Sequence, residues 1–426
     1  MTSLPSLPTL RIAPPSVATL RVATAGSVDD GKSTLIGRLL HDTKTVFEDQ
    51  LAAVEKASRR YGDGERNLAL LTDGLRAERE QGITIDVAHR YFATPRRSFI
   101  VADTPGHSQY TRNLVTGAST ADVAIVLVDA RHGVLEQTRR HAFIASLLGV
   151  KAIALAVNKM DLVDWDEGEF DSVAKDLAAY LEALPTPVPV FAFPISALHG
   201  DNVVAVSQHS PWYEGPALLD WLEMFDASGP AESAARLDVQ RVIRPQGSDF
   251  RGFAGRLVGG RLAVGDSITV MPSGQRSVVT GIQRFGRELA SATAGQAITV
   301  SLADNIDAAR GDVLVAADSP ATESVSGHVC WMIEQPLREG SRYWFKHGTR
   351  VGRAVVSAVE YRHDLHTLEP VAADQIALND LAMVRLSLSE PIVATSYEVS
   401  REGGRLILVD EATNTTAGAV MITEAA

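Results

Sequence analysis

Gly26-Ser27-Val28-Asp29-Asp30-Gly31-Lys32-Ser33 follows the pattern G-x-x-x-x-G-K-[ST], a spacing of two glycines, a cation and a hydroxyl suited to gripping a phosphate chain. Small residues let successive backbone N–H groups turn inward around the α and β phosphates. Lys32 adds a point charge beside the β and γ phosphates, and the Ser33 hydroxyl is a ligand for Mg²⁺, with Thr34 next to it. The apolar run from Leu20 to Ala25 before the loop and the helix-like run from Leu35 to Leu40 after it supply the strand and helix that such a loop joins.

Three later segments extend this chemistry. Asp103-Thr-Pro-Gly106-His107 follows the apolar stretch Ser98 to Ala102; an acid at a strand end can hold Mg²⁺ through water, and Gly106 can turn its N–H toward the γ phosphate. Asn158-Lys159-Met160-Asp161 follows Ile153 to Val157, and its carboxylate can accept from both N1–H and the exocyclic amine of guanine. Adenine offers no such donor pair, so Asp161 predicts GTP over ATP. Ser196-Ala197-Leu198, after a strand ending at Ile195, can present a backbone N–H to the guanine carbonyl. Between the first loop and Asp103 lies Glu78-Arg-Glu-Gln-Gly82-Ile83-Thr84-Ile85, where Thr84 can join Ser33 on Mg²⁺ and a γ-phosphate-sensitive switch is expected.

These segments need a scaffold that presents strand ends to one another. From about residue 20 to 225, strand-length apolar runs alternate with helical patterns, which predicts βαβ units and a mostly parallel sheet. Phe170, Val173, Leu177, Tyr180, Leu181 and Leu184 recur at helical spacing, as an amphipathic helix covering that sheet does. Beyond Asp226-Ala-Ser-Gly-Pro the pattern changes to short β-rich runs such as Leu237 to Ile243, Ser267 to Met271, Ala297 to Leu302 and Val313 to Ala316. About 200 residues of this kind suffice for two antiparallel barrels. The expected organisation is a disordered extension over 1–18, a nucleotide-binding domain over 19–230, and barrels over 231–322 and 323–426, with Pro320 to Gly327 as the second linker.

Composition excludes several classes. The 426 residues are 45% hydrophobic and 22% charged, with a net charge of −12, which argues against a broad nucleic-acid surface. Cys330 is the single cysteine, so no internal disulfide forms, as suits a cytoplasmic protein, and it reads as a small buried residue. No apolar run is long enough to span a bilayer. His363 and His366 lack a nearby cysteine to complete a metal set and read as a solvated pair.

The order of motifs, with Gln-Gly-Ile-Thr-Ile ahead of Asp-Thr-Pro-Gly-His, resembles the GTPases of the translation elongation factor group. Gly26 to Leu40, Arg79-Glu-Gln-Gly-Ile-Thr-Ile-Asp-Val-Ala and Ala102-Asp-Thr-Pro-Gly-His-Ser-Gln-Tyr-Thr-Arg-Asn narrow the resemblance to the GTPase subunits of bacterial sulfate adenylyltransferase. Asp249-Phe-Arg-Gly-Phe-Ala-Gly, Lys346-His-Gly-Thr and Thr413-Asn-Thr-Thr-Ala-Gly-Ala extend it to about residues 18 to 422. Elongation factors usually carry His where this chain has Ser27 and Asp30.

That resemblance implies a GTP- and Mg²⁺-binding subunit that couples hydrolysis to formation of adenosine 5′-phosphosulfate and pyrophosphate from ATP and sulfate by a separate catalytic subunit. By matching position it makes His107 the residue that orients the attacking water, Thr84 and Ser33 ligands of the Mg²⁺ that Asp103 can hold through water, Asp29 an organiser of the phosphate loop, and Val28 with Ile83 an apolar gate on His107. Ser108 departs from the family's usual Glu, and no second phosphate loop follows the barrels, so a fused adenylyl sulfate kinase is not expected. The competing reading is a translation factor that delivers a charged RNA. Its support is Arg342-Tyr-Trp-Phe-Lys-His347, although Tyr343 and Phe345 alternate with Arg342, Trp344 and Lys346 as an ordinary barrel strand does.

Overall fold

The computed structural model describes residues 19–45, 68, 84, 86–227, 234–316 and 319–425. They form two compact units, one holding a mixed sheet with helices and the other holding two barrels.

In the first unit the sheet runs in the order β2-β3-β1-β4-β5-β6. Its strands are β1 (Leu20–Ala25), β2 (Ala88–Ala93), β3 (Ser98–Asp103), β4 (Val123–Asp129), β5 (Ala152–Asn158) and β6 (Val190–Pro194). All neighbours are parallel except the edge strand β2, which runs antiparallel to β3. Every residue of β4 and β5 is buried, which explains why their sequences are unbroken apolar runs rather than alternating ones. Each fully buried aliphatic side chain there contributes about 1.5–3 kcal/mol.

The helices are α1 (Lys32–Asp42), α2 (Thr111–Ala118), α3 (Glu136–Leu147), α4 (Glu167–Glu182) and α5 (Leu218–Met224). Helix α4 starts where Asp166 accepts the Glu169 N–H, and it buries Phe170, Val173, Leu177, Tyr180 and Leu181, the expected stripe, against β5 and β6. Leu184 is buried just past its end.

In the second unit each barrel closes on itself with six antiparallel strands. The first follows 267–271, 313–315, 236–238, 252–258, 297–302 and 275–284 back to 267–271. The second follows 342–347, 405–409, 416–425, 322–331, 381–392 and 350–363 back to 342–347. Phe253, Leu257, Ile282 and Val300 fill one interior, and Trp331, Phe345, Val384 and Leu408 fill the other. Closure leaves no open sheet edge on either ring.

Three expectations need correction. The run Leu237 to Ile243 is two short strands, Arg236–Asp238 and Arg241–Ile243, both pairing with the strand Gly252–Val258. The proposed linker from Pro320 to Gly327 is mostly strand, because Thr322–Trp331 pairs on both sides and a side chain at Gly327 would meet the Met421 carbonyl at 2.5 Å. His363 is not solvated: it is buried, with Nε2 3.2 Å from Nδ1 of the buried His328. Cys330 is buried, as expected. Among the described residues no helix is long and apolar enough to cross a membrane.

Candidate functional site

The phosphate loop joins β1 to α1, and its backbone explains its glycines. Gly26 and Gly31 take φ of 139° and 95°, and a side chain on Gly31 would lie 2.4 Å from the Asn158 amide. Gly31 is also the N-cap of α1 and offers no capping side chain, while the first turn carries no acid. The helix therefore presents uncompensated N–H groups and the positive end of its dipole to the loop.

Lys32 is buried beneath the loop and donates to the carbonyls of Gly26 (3.1 Å) and Ser27 (2.5 Å). Burial pushes its ammonium below the usual range, opposed by the carboxylates of Asp30, Asp103 and Asp29. Asp30 is buried too and accepts the Ser27 N–H at 2.6 Å; burial raises its carboxyl while Lys32 opposes the rise. Gly106 passes so close that a side chain there would meet Lys32 Nζ at 2.5 Å and the Ser27 backbone at 2.8 Å.

Ser33, Thr84 and Asp103 converge from three segments. Ser33 Oγ is 3.4 Å from Asp103 Oδ2 and 3.4 Å from Thr84 Oγ1. Asp103 closes β3 and is tied to β1 by the Thr24 hydroxyl at 3.4 Å. Two hydroxyls and one carboxylate form an all-oxygen set, which fits Mg²⁺ and not a nitrogen- or sulfur-seeking metal.

On the other flank Asn158 clamps two loops together. Its Nδ2 donates to the Asp30 carbonyl at 2.7 Å and its Oδ1 accepts the Ala197 N–H at 2.9 Å. Lys159, in the left-handed region with φ of 62°, donates to the Asp29 carbonyl at 2.6 Å and lies 2.9 Å from Asp129 Oδ2. Asp161 sits in the short turn Met160–Val163, partly buried, 3.8 Å from His199 Nε2. Ser196 is buried and its hydroxyl accepts the His199 N–H, shaping the turn that carries Ala197 and Leu198.

His107 is exposed, and its Nδ1 accepts the Gln109 N–H at 3.3 Å. Val28, within the loop, is 39% exposed. Ile83, with Gly82 and Ile85, lies outside the described residues, as do the N-terminal 1–18 and the Ser108 side chain. Apart from Thr84, which reaches the site from its own segment, the other residues singled out for the site fall on the phosphate loop and the start of α1, the loop after β3, the end of β5 with the turn that follows it, and the Ser196 turn.

Several participants escaped the sequence reading. Asp129 closes β4 as Asp103 closes β3 and Asn158 closes β5. It is buried and bonds Arg131 at 2.7 Å besides Lys159; burial alone would raise its carboxyl, but those partners hold it well below the usual range. A polar residue ending a buried parallel strand was the available signal. Arg38 of α1 donates to the carbonyls of Ala197 and Leu198. His141 of α3 is fully buried and accepts the Gly26 N–H at 3.1 Å.

Residues 18–229 match the family model of the elongation factor Tu GTP binding domain, and residues 324–423 match that of the GTP-eEF1A C-terminal domain-like family. Sulfate adenylyltransferase subunit 1 of Teredinibacter turnerae is 50% identical over 411 residues, covering 95% of this chain and 87% of its own length. Solved structures of sup35 with GDP and with GMPPNP are 22% identical at a TM-score of 0.43; they cover 96% and 97% of this chain, and 95% of each solved chain is matched.

Proposed function

Because the chain belongs to the sulfate adenylyltransferase subunit 1 family, a branch of the translation-factor-like GTPases, we propose that it binds GTP and couples its hydrolysis to sulfate activation by a separate catalytic subunit in the cytoplasm. The observation that carries this reading is the 50% identity over nearly the whole chain, joined to a site whose phosphate loop, oxygen-only metal set and Asp161 turn lie together.

In this reading the loop from Gly26 to Thr34 wraps the phosphates and Lys32 neutralises the β and γ oxygens, while Gly106 offers its N–H to the γ phosphate. Ser33, Thr84 and Asp103 hold Mg²⁺, which when bound offsets charge on the phosphate oxygens. Asp161 accepts the two guanine donors, Asn158 keeps the guanine turn of Ser196, Ala197 and Leu198 docked on the phosphate loop, and Lys159 braces the Asp29 backbone. His107 orients a water for attack on the γ phosphorus, giving GDP and phosphate, and Val28 with Ile83 restrains it. Adenylyl transfer from ATP to sulfate yields an anhydride and is uphill, so the catalytic subunit must bind the GTP and GDP forms with different affinity.

The elongation-factor alternative loses its best support, since Tyr343, Phe345 and His347 all point into the barrel interior or its buried surroundings. The test is pyrophosphate release from ATP plus sulfate by this chain with its catalytic subunit, with and without GTP. Sulfate-dependent release stimulated by GTP and uncoupled by His107→Ala is the expected result; GTP hydrolysis indifferent to sulfate, with ribosomes or RNA co-purifying, would overturn it.

A further inference from the structure

In the first barrel the strand Gln275–Arg284 returns as Arg287–Leu289, with Arg284 facing Arg287 across the pair. The two-residue connection is Phe285-Gly286, and both residues have positive φ, 50° and 75°. Turns of this mirror-image kind match the twist of the flanking strands, and Asn-Gly or Asp-Gly is the preferred pair because a short side chain tolerates the left-handed region. A bulky aromatic in that region costs about 1–2 kcal/mol. Burial returns nothing for it. Phe285 is 89% exposed, the highest value for any large hydrophobic among the described residues, and it is absent from the barrel core of Phe253, Leu257 and Ile282.

Its neighbours are cationic. The Arg284 guanidinium lies 5.2 Å from the Phe285 ring centroid, and among the described residues neither Arg284 nor Arg287 forms an ion pair. The hairpin tip thus carries an exposed aromatic between two arginines on a chain whose net charge is −12. Aromatic and arginine side chains dominate the energetic centres of protein interfaces. Two arginines without a longer basic stripe are too few for a nucleic-acid track.

We propose that the Arg284-Phe285-Gly286-Arg287 tip is an anchor for the catalytic subunit, with Phe285 entering an apolar pocket on that partner and the two arginines meeting carboxylates at its rim. This rests on the reading of the chain as one subunit of a two-subunit enzyme.

The experiment measures affinity between the purified chain and the catalytic subunit by titration calorimetry, for the wild type, Phe285→Asn, Phe285→Tyr and Arg284→Glu/Arg287→Glu. Phe285→Asn supplies the residue the turn prefers, so its melting temperature stays equal or rises and its intrinsic GTP hydrolysis is unchanged, while affinity falls at least about tenfold. The charge reversal weakens binding and steepens the loss at low salt, and Phe285→Tyr retains affinity. Undiminished binding by Phe285→Asn overturns the anchor and leaves the proposed function standing. A wild-type chain that does not bind the catalytic subunit overturns both. Loss of oligonucleotide binding in the charge reversal, with subunit affinity intact, overturns the anchor in favour of a nucleic-acid contact.

Discussion

Gly26 and His141, 115 residues apart, are joined inside the first unit: the loop's first N–H donates to Nδ1 of a fully buried imidazole on α3. An amide N–H can only donate, so Nδ1 is the accepting nitrogen, and in the neutral ring the proton sits on Nε2. The phosphate loop is therefore set from below by a neutral histidine.

His141→Ala orphans the Gly26 N–H and leaves a cavity, a loss of about 3 kcal/mol. Nucleotide dissociation should accelerate, while His141→Asn, which keeps an acceptor, recovers part of the effect. Release of a fluorescent GDP analogue by stopped flow reads both; equal rates in wild type and His141→Ala would refute the coupling.

Acid should destabilise the protein earlier than carboxylate chemistry predicts. Burial pushes His141 down to about 3, and His328, His347 and His363 to about 4; His363 is further depressed by His328, and His347 by Arg236. The fold thus prefers these rings neutral, so their contribution is complete above the unfolded pKa near 6.5 and is lost as pH falls from there toward 4, at about 1.4 kcal/mol per unit for each ring. Asp129 behaves differently. Its depressed carboxyl keeps its stabilisation down to about pH 4 and loses it only below. Melting temperatures that stay level between pH 7 and 5 would contradict the histidine argument.

Asp129→Asn keeps the shape but removes the charge facing Lys159 and Arg131 at 2.9 and 2.7 Å. Arg131 and Lys159 are partly exposed, so solvent screens the pairing and the loss of stability should be modest, while guanine nucleotide affinity should fall because Lys159 loses one of its two anchors. Urea unfolding and GDP titration measure the two effects separately.

Asp161→Asn replaces two acceptors by one acceptor and one donor. Affinity for GTP should drop by about 100-fold or more, and xanthosine triphosphate, which presents a carbonyl where guanine has its amine, should gain. Competition of the two nucleotides for the variant decides it; unchanged guanine preference would remove Asp161 from the base site.

Strands β4 and β5 were legible because both of their faces are buried and such strands read as uninterrupted apolar runs, and they differed from expectation only at their ends; β1, which exposes Arg21, matched its expected span. The alternating face of Arg342–His347 was legible for the converse reason, one side buried and one exposed. Thr322 to Gly327 misled because hydroxyls and glycine usually mark loops; here Gly327 is what lets the Met421 backbone approach. His363 misled because its partner His328 lies 35 residues away.

Residue type and local spacing determined by themselves that a glycine-rich loop between β1 and α1, an acid-bearing end of β3 and an acid-bearing turn after β5 exist, since each needs only a few consecutive residues with particular donors, acceptors or backbone freedom. Tertiary structure alone decided that Asp129 braces Lys159, that Arg38 holds the Ser196 turn, and that His141 sits beneath Gly26. Those roles depend on distance in space between residues far apart in the chain, and hydrogen bonds act over about 3 Å whatever the sequence separation.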